Sequence, residues 1–330
     1  MSAKADKAQG ITRCDTGAAA RRPGRSTPAS GNGGALAPSA GRIPSALTQP
    51  EISENEFHLF QELIYRDAGI WLSTAKIALL TGRLAKRLRF YGLQSFTQYY
   101  RLVTDSPEER IHMLDAISTN ETHFFREPRH FELLQSTIFP RWKREAEIGQ
   151  RNRVIRALSA GCSTGQEPYS LAMILLANFL QGERWEMEIT ATDLSTRALD
   201  LAKKGIWPVD KARDIPSAYL KTYMLKGVGE QSGNVKAGPE IRSLVNFCRV
   251  NLNDSMYPLA GRFDLIFCRN VLIYFDAHSR AQVVRRLAGF LAPDGYFFVG
   301  HAESLHKMGD VLTNWVSTVY RPAPGRAPDE

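Results

Sequence analysis

The residues best placed for chemistry sit in one short stretch, Leu158-Ser159-Ala160-Gly161-Cys162-Ser163-Thr164-Gly165-Gln166-Glu167-Pro168. It follows an apolar run that reads as a first strand and leads into a helix-forming segment. A glycine-bearing loop in that position is where doubly wound α/β folds hold nucleotides, because the ligand lies against the backbone. The spacing here is Gly161-x-x-x-Gly165, not the G-x-G-x-x-G of dinucleotide sites. Glu167 at the helix start disfavours a phosphate, since like charges would meet. It favours a cationic or hydroxyl-bearing ligand. S-adenosylmethionine has a sulfonium, an ammonium and a ribose, and no phosphate. The alternative is a glycine loop that serves only the turn.

A second candidate is Asp193, at the end of the next apolar stretch. A carboxylate there accepts hydrogen bonds from both ribose hydroxyls. Followed by Leu194-Ser195, it serves equally well as a cap for the next helix.

Elements that must position these groups come in two kinds. Residues 51–125 read as four short helices. Ser53 with Glu56 makes a capping box, Phe57, Phe60 and Ile64 follow at helical spacing, and Gly69 stops the helix. Ile77, Leu80, Leu84 and Leu88 share one face of the second; Phe96, Tyr100 and Val103 mark the third. Ser106-Pro107-Glu108-Glu109 starts the fourth, and Ile111, Leu114 and Ile117 give its stripe. From about residue 150 strands alternate with helices, which predicts an α/β domain with a mostly parallel sheet. Strands are expected at 154–160, 187–192, 244–250, 263–268 and 296–299, with 315–320 closing the sheet. The glycine-rich stretch 215–243 breaks the rhythm and reads as a small antiparallel insertion.

Bulk numbers exclude several classes. The 330 residues carry a formal charge of +8. Residues 1–50 hold seven Lys or Arg and two Asp, so the other 280 residues carry only +3. A basic nucleic-acid-binding body is therefore not indicated. Those first 50 residues have almost no large apolar side chains and are expected to be disordered. The four cysteines, Cys14, Cys162, Cys248 and Cys268, form no C-x-x-C pair, and buried free thiols in a reducing cytosol explain them. No apolar run is long enough to cross a bilayer, and the N-terminus has no apolar h-region that would read as a secretion signal, so a cytoplasmic protein is expected.

Three segments now bear on family. Ser118-Thr119-Asn120-Glu121-Thr122-His123-Phe124-Phe125-Arg126, the loop Gly161–Ser170, and Phe267-Cys268-Arg269-Asn270-Val271-Leu272-Ile273-Tyr274-Phe275-Asp276 together resemble the chemotaxis receptor methyltransferases, the CheR family. The resemblance runs from about residue 51 to 322. Gln166 departs from it, where many members carry a second Glu. It implies a helical domain over 51–125 and, over 126–325, a class I, Rossmann-like S-adenosylmethionine methyltransferase domain with the inserted β-subdomain. It further implies that Asn120, Thr122, Arg126, Glu167, Asp193, Asn251, Leu252, Arg269 and Asn270 bind the cofactor. Tyr274 follows Asn270 and could reach the transferred methyl, so Arg126 is assigned to orientation and Tyr274 to hydrogen bonding near the reacting groups.

Much of that transfer makes physical sense. Asn120 and Thr122 are alternate polar residues in the segment joining the domains. Asn251 and Asn270 end two successive strands, at the sheet edge where α/β folds bind ligands. Arg126 read on its own is an interdomain ion pair, and Tyr274 a core aromatic with a bonded hydroxyl. The implied reaction is methyl transfer from S-adenosylmethionine to a receptor glutamate, whose carboxylate is already ionised at neutral pH. No general base and no metal are required.

The resemblance also implies the partner: methyl-accepting receptors, met at their cytoplasmic helical bundle by a monomer that neither enters the membrane nor binds nucleic acid. Lys76, Arg83 and Arg87, with Lys86 and Arg89 nearby, form a basic stripe on the second helix that suits an acidic helical partner, or is a solvated face. The inserted sheet resembles the part that, in some members, adds a receptor C-terminal peptide as a strand. A nicotinamide oxidoreductase is disfavoured by the missing G-x-G-x-x-G. A nucleic-acid methyltransferase is disfavoured by the lack of Asn-Pro-Pro-Tyr after Phe267. A scaffold that has lost catalysis would not need Arg126, Glu167, Asp193, Asn270 and Tyr274 together.

Overall fold

The computed structural model describes residues 11–13, 51–179 and 184–324. The expectation of disorder for residues 1–50 lies outside the described residues, apart from strand β1, Ile11–Arg13. Cys14 lies outside them too.

The first half of the fold is four helices. Helix α1 spans Glu54–Ala68; the Ser53 hydroxyl accepts the Glu56 N–H while the Glu56 carboxylate reaches back to the Ser53 N–H, and Gly69 closes the helix in the left-handed region. A 3-10 turn, Thr74–Lys76, leads into α2, Ile77–Tyr91. Helix α3 is Phe96–Asp105, and α4 is Pro107–Ile117 with Ser106 as its cap. Phe57, Phe60, Ile64, Leu80, Leu84, Leu88, Phe96 and Val103 form the shared core. Two details differ from the helical spacing. Tyr99 is buried and Tyr100 only partly so, and α4 buries Met113 as well as Leu114. The cause at Tyr99 is polar: its hydroxyl donates to Glu109 at 2.7 Å, across the domain interior.

An unexpected helical run follows. It consists of α5, Pro128–Leu133, a π-helical stretch, Leu134–Ile138, and α6, Phe139–Glu147. Pro140 lacks the N–H that a regular helix needs there, and the widened turn absorbs the defect.

The sheet then builds in order. β2, Val154–Ala160, is followed by α7, Gln166–Asn178, β3, Glu186–Asp193, and α8, Thr196–Lys204. The insertion holds β4, Ile206–Pro208, α9, Ser217–Tyr223, β5, Met224–Gly227, β6, Asn234–Ala237, and α10, Pro239–Arg242. β7, Val245–Arg249, and β8, Phe263–Cys268, return to the main sheet, followed by α11, Ala277–Gly289, and β9, Leu291–Val299. β10, Leu312–Val316, and β11, Val319–Pro322, form a closing hairpin where one strand was expected.

The seven strands run β10-β11-β9-β8-β2-β3-β7. β9, β8, β2, β3 and β7 are parallel; β11 runs antiparallel to β9, and β10 antiparallel to β11. This is the expected α/β class, a helical domain followed by a methyltransferase-type sheet. The small antiparallel sheet, β1-β5-β6-β4, starts earlier than residue 215, because Ile206–Pro208 pairs with β6. β1 lies antiparallel on the outer edge of β5. Among the described residues no helix is long and apolar enough to cross a membrane.

Candidate active site

A cavity of about 220 Å³ opens between the helical domain and the carboxyl ends of β2, β3 and β8. That edge is where open α/β sheets place ligands. The ten candidate site residues named from the sequence all line it: Asn120, Thr122, Arg126, Glu167, Asp193, Asn251, Leu252, Arg269, Asn270 and Tyr274.

The loop after β2 forms the floor. Gly161 and Cys162 both donate their N–H to the Thr192 carbonyl, at 2.7 and 2.8 Å, tying the loop to the end of β3. Gly161 has φ +82°, and a Cβ there would stand 2.3 Å from Val271 Cγ2, so only glycine fits. The Ser163 N–H donates to Asp193 at 2.8 Å, and the Ser195 N–H at 2.9 Å. The cap of α8 is Ser195, not Asp193; Asp193 instead ties the loop after β2 to the turn after β3 and lines the cavity. Burial pushes its pKa above the ordinary 3.8, against the two N–H bonds.

Glu167 is held at both oxygens. Ser159 Oγ donates to one at 2.6 Å and Arg269 Nε to the other at 2.7 Å. Arg269 is buried, and its guanidinium also donates to the Arg126 carbonyl at 2.6 Å and approaches Glu127 at 3.5 Å and His130 Nδ1 at 3.0 Å. Phe131 and Phe267 flank it. With its donors engaged in this way, Arg269 is placed to orient Glu167 and the Arg126 backbone. Burial and the Arg269 charge hold the His130 pKa down to about 4, against Glu127, so the imidazole is neutral. Nδ1 then accepts from Arg269, and Nε2 donates to Thr318 Oγ1 at 2.7 Å. Glu127, His130 and His301 bring possible metal-ligand atoms within 4.8 Å of one another. The Arg269 guanidinium lies against that cluster, so the electrostatics oppose a cation there.

The segment joining the domains is strained around Arg126. Phe125 and Glu127 have φ of 52° and 58°, in the left-handed region that such side chains avoid. Its surroundings fix it. The Phe125 N–H donates to Ser170 Oγ at 3.0 Å, and the His301 N–H donates to the Glu127 carboxylate at 3.1 Å. Arg126 is left facing the cavity, with one bond to the Glu121 carbonyl at 3.2 Å and no carboxylate partner among the described residues. The reading of Arg126 as an interdomain ion pair is therefore set aside. Tyr274, also on the cavity wall, has no hydroxyl partner among the described residues, and Lys76 Nζ lies 5.9 Å from its ring centre. It is half-buried at the cavity wall, not a core aromatic with a bonded hydroxyl.

Asn251 is used differently from the other wall residues. Its side chain donates to the Asp67 carbonyl at the end of α1, at 2.6 Å, so it ties the helical domain to the sheet. Spacing alone did not reveal Ser159, Ser163, Glu127 or His130. Ser159 lies in β2 just before the glycine loop and Ser163 within the loop; Glu127 caps, and His130 lies in, a helix after Arg126 that the pattern had not disclosed.

With this geometry in place, comparison with known proteins identifies the chain. Residues 120–321 match the family model described as the CheR methyltransferase, SAM binding domain, and residues 55–118 match its all-alpha domain. The chain belongs to the CheR methyltransferase family. It is 36% identical over 288 residues to chemotaxis protein methyltransferase 2 of Pseudomonas aeruginosa, covering 85% of this chain and 100% of that one. To the chemotaxis protein methyltransferase of Escherichia coli it is 35% identical over 271 residues, 82% of this chain and 91% of that one. It is an S-adenosylmethionine-dependent methyltransferase, and the CheR cofactor domain coincides with the sheet whose edge carries the cavity.

Proposed function

We propose that this protein transfers the methyl group of S-adenosylmethionine to glutamate carboxylates of chemotaxis receptors, in the cytoplasm, at the receptors' helical bundle. The observation that carries the reading is the polarity of the cavity. Asp193, at the end of β3, and Glu167, at the start of α7, line it together with Lys76 of the helical domain, Tyr274, and Arg126, which has no carboxylate partner among the described residues. The acidic groups suit ribose hydroxyls and a cationic donor. The basic groups suit an arriving carboxylate.

When bound, S-adenosylmethionine supplies an electrophilic methyl on a sulfonium. The task left to the protein is alignment, which contributes roughly 7–11 kcal/mol in well-oriented reactions. Asp193 holds the ribose. Glu167, oriented by Ser159 and Arg269, faces the donor's positive end. Arg126 directs the acceptor carboxylate, and the free Tyr274 hydroxyl donates to it. Because anion and cation neutralise each other in the transition state, a dry cavity favours the step, and one loosely held guanidinium orients the carboxylate without trapping it.

The test is transfer of labelled methyl to purified receptor cytoplasmic fragments. The label should be released by mild base as an ester, and receptors with their methylation-site glutamates changed to glutamine should take none. Base-stable label, or label on the glutamine receptors, overturns the assignment.

A further inference from the structure

Glu303 belongs to no motif that the sequence singled out, yet the residue is only 4% exposed and its carboxylate grips the turn that carries Asn270 and Tyr274. One oxygen accepts the Asn270 N–H at 2.8 Å and the Gly300 N–H at 2.7 Å. The other accepts the Ile273 N–H at 3.3 Å. No ion pair reaches it among the described residues. A carboxylate buried on backbone N–H groups alone is a costly arrangement, and it holds whatever those groups belong to.

They belong to the cavity wall. β8 and β9 are parallel neighbours, with Cys268 opposite Val299. Beyond them the chain turns twice, once at Asn270 and once at Gly300. Asn270 sits at φ +59°, and a Cβ on Gly300 would meet Asn270 Nδ2 at 2.5 Å, so the two turns are nearly in contact. Glu303 bridges them. Its first oxygen fixes the left-handed turn at Asn270, and its second fixes the 3-10 turn Leu272–Tyr274.

We propose that Glu303 is a positioning residue for methyl transfer: its carboxylate sets where the Asn270 side chain and the Tyr274 hydroxyl stand in the cavity. This rests on reading the cavity as the methyl-transfer site. The two oxygens divide the work. The one shared by Asn270 and Gly300 serves the cofactor side, and the one on Ile273 serves the acceptor side, one residue before Tyr274.

Glu303→Gln separates these roles. An amide has one carbonyl oxygen, and two N–H donors claim it on the Asn270 side. The NH2 is then turned against the Ile273 N–H, and the Tyr274 turn loosens. The expected result is S-adenosylmethionine affinity within about threefold of wild type by calorimetry, and a single-turnover rate, saturated with cofactor and receptor, lower by about tenfold or more. A structural role would not predict the second readout, a double-mutant cycle with Tyr274→Phe. If Glu303 acts through Tyr274, the double variant is about as slow as the slower single variant. An unaltered saturated rate in Glu303→Gln overturns the proposal, as does a loss confined to cofactor affinity or a cycle in which the two losses multiply. Should Glu303→Gln not fold, Glu303→Asp, which keeps the charge but shortens the reach, goes through the same cycle under the same criteria. Wild-type enzyme on the same receptor is the control: its failure to methylate would count against the reading of the cavity, not against Glu303.

Discussion

At Tyr274 a hydroxyl with no hydrogen-bond partner among the described residues lines a cavity in which Glu167 and Arg269 are engaged. Tyr274→Phe keeps the ring and the contact with Lys76, and removes only that hydroxyl. Turnover should fall by about tenfold to a few hundredfold, because one hydrogen bond is lost and no proton transfer is abolished. Cofactor affinity should stay near normal, and an unaltered single-turnover rate would leave Tyr274 a packing residue. Asp193 gives a prediction with a sign. Its pKa stands above the ordinary 3.8 because burial outweighs its N–H bonds. Ribose hydroxyls donate to the ionised form, so that form binds and protonation competes with the ligand. S-adenosylmethionine affinity should therefore weaken as pH falls through that raised value, up to about tenfold per unit below it. Asp193→Asn should bind more weakly by about 1.5–3 kcal/mol and lose the pH dependence. Calorimetry across the acid range decides: a wild-type profile that is flat removes Asp193 from the ribose. These residues were legible because a strand end, a glycine loop and an acidic position each leave a local mark. Glu303 and His130 were not, since nothing in their neighbours announces three N–H donors or a facing guanidinium.

Single elements show the same division between local and distant causes. The capping box of α1 was legible because Ser53 and Glu56 lie three residues apart and bond to each other, although the Glu56 carboxylate also accepts from the Thr97 N–H and hydroxyl on α3, both at 2.7 Å. The choice of Tyr99 over Tyr100 was not, because Glu109 makes it from another helix. Glu109 is buried and accepts from Arg87 Nε at 2.8 Å, from Tyr91 at 2.8 Å and from Tyr99 at 2.7 Å. Burial alone would raise its pKa, but the bonds from Arg87, Tyr99 and Tyr91 win and hold it below the ordinary 4.5. The group therefore stabilises the fold in full above the unfolded value and loses that contribution as pH falls through its lower folded value. Glu109→Ala should cost about 3 kcal/mol near neutral pH, because Arg87 is left part-buried without its partner. Urea unfolding at neutral pH and again below pH of about 4 should show the gap between wild type and variant shrinking in acid. A gap that does not change with pH would mean that the loss is one of packing volume.

For the molecule as a whole, Arg87 is where the stripe reading and the structure part. Arg83 donates to the Ile117 carbonyl and to Thr119 Oγ1, bracing the start of the interdomain segment, and Arg87 is bound to Glu109. The stripe therefore splits: these two hold the fold, Lys76 lines the cavity, and Lys86 and Arg89 remain exposed on α2. The helical domain is in turn fastened over the sheet edge. The Trp71 N–H donates to the Tyr274 carbonyl at 2.9 Å, Tyr65 to Asp276 at 2.7 Å, and Asp115 accepts from the Thr196 N–H at 2.9 Å. On the proposed function, a receptor glutamate enters a cavity that Lys76 and Leu79, at the start of α2, help to line, so exposed charge on α2 is expected to act on approach and not on chemistry. Reversing Lys86 and Arg89 to Glu should raise the receptor concentration needed for half-maximal methylation by about tenfold at low salt. The effect should shrink as salt screens it, because the pairs that form on docking are rim contacts. Cofactor affinity and melting temperature should not move, since neither side chain touches the cavity or the core. Reversing Arg83 and Arg87 instead should lower the melting temperature, with Arg87→Glu setting one carboxylate against Glu109. Receptor titrations of both double variants at two salt concentrations, with melting curves alongside, distinguish the roles. Wild-type receptor dependence in the Lys86 and Arg89 variant at low salt would make that face of α2 a solvated surface and move receptor docking elsewhere.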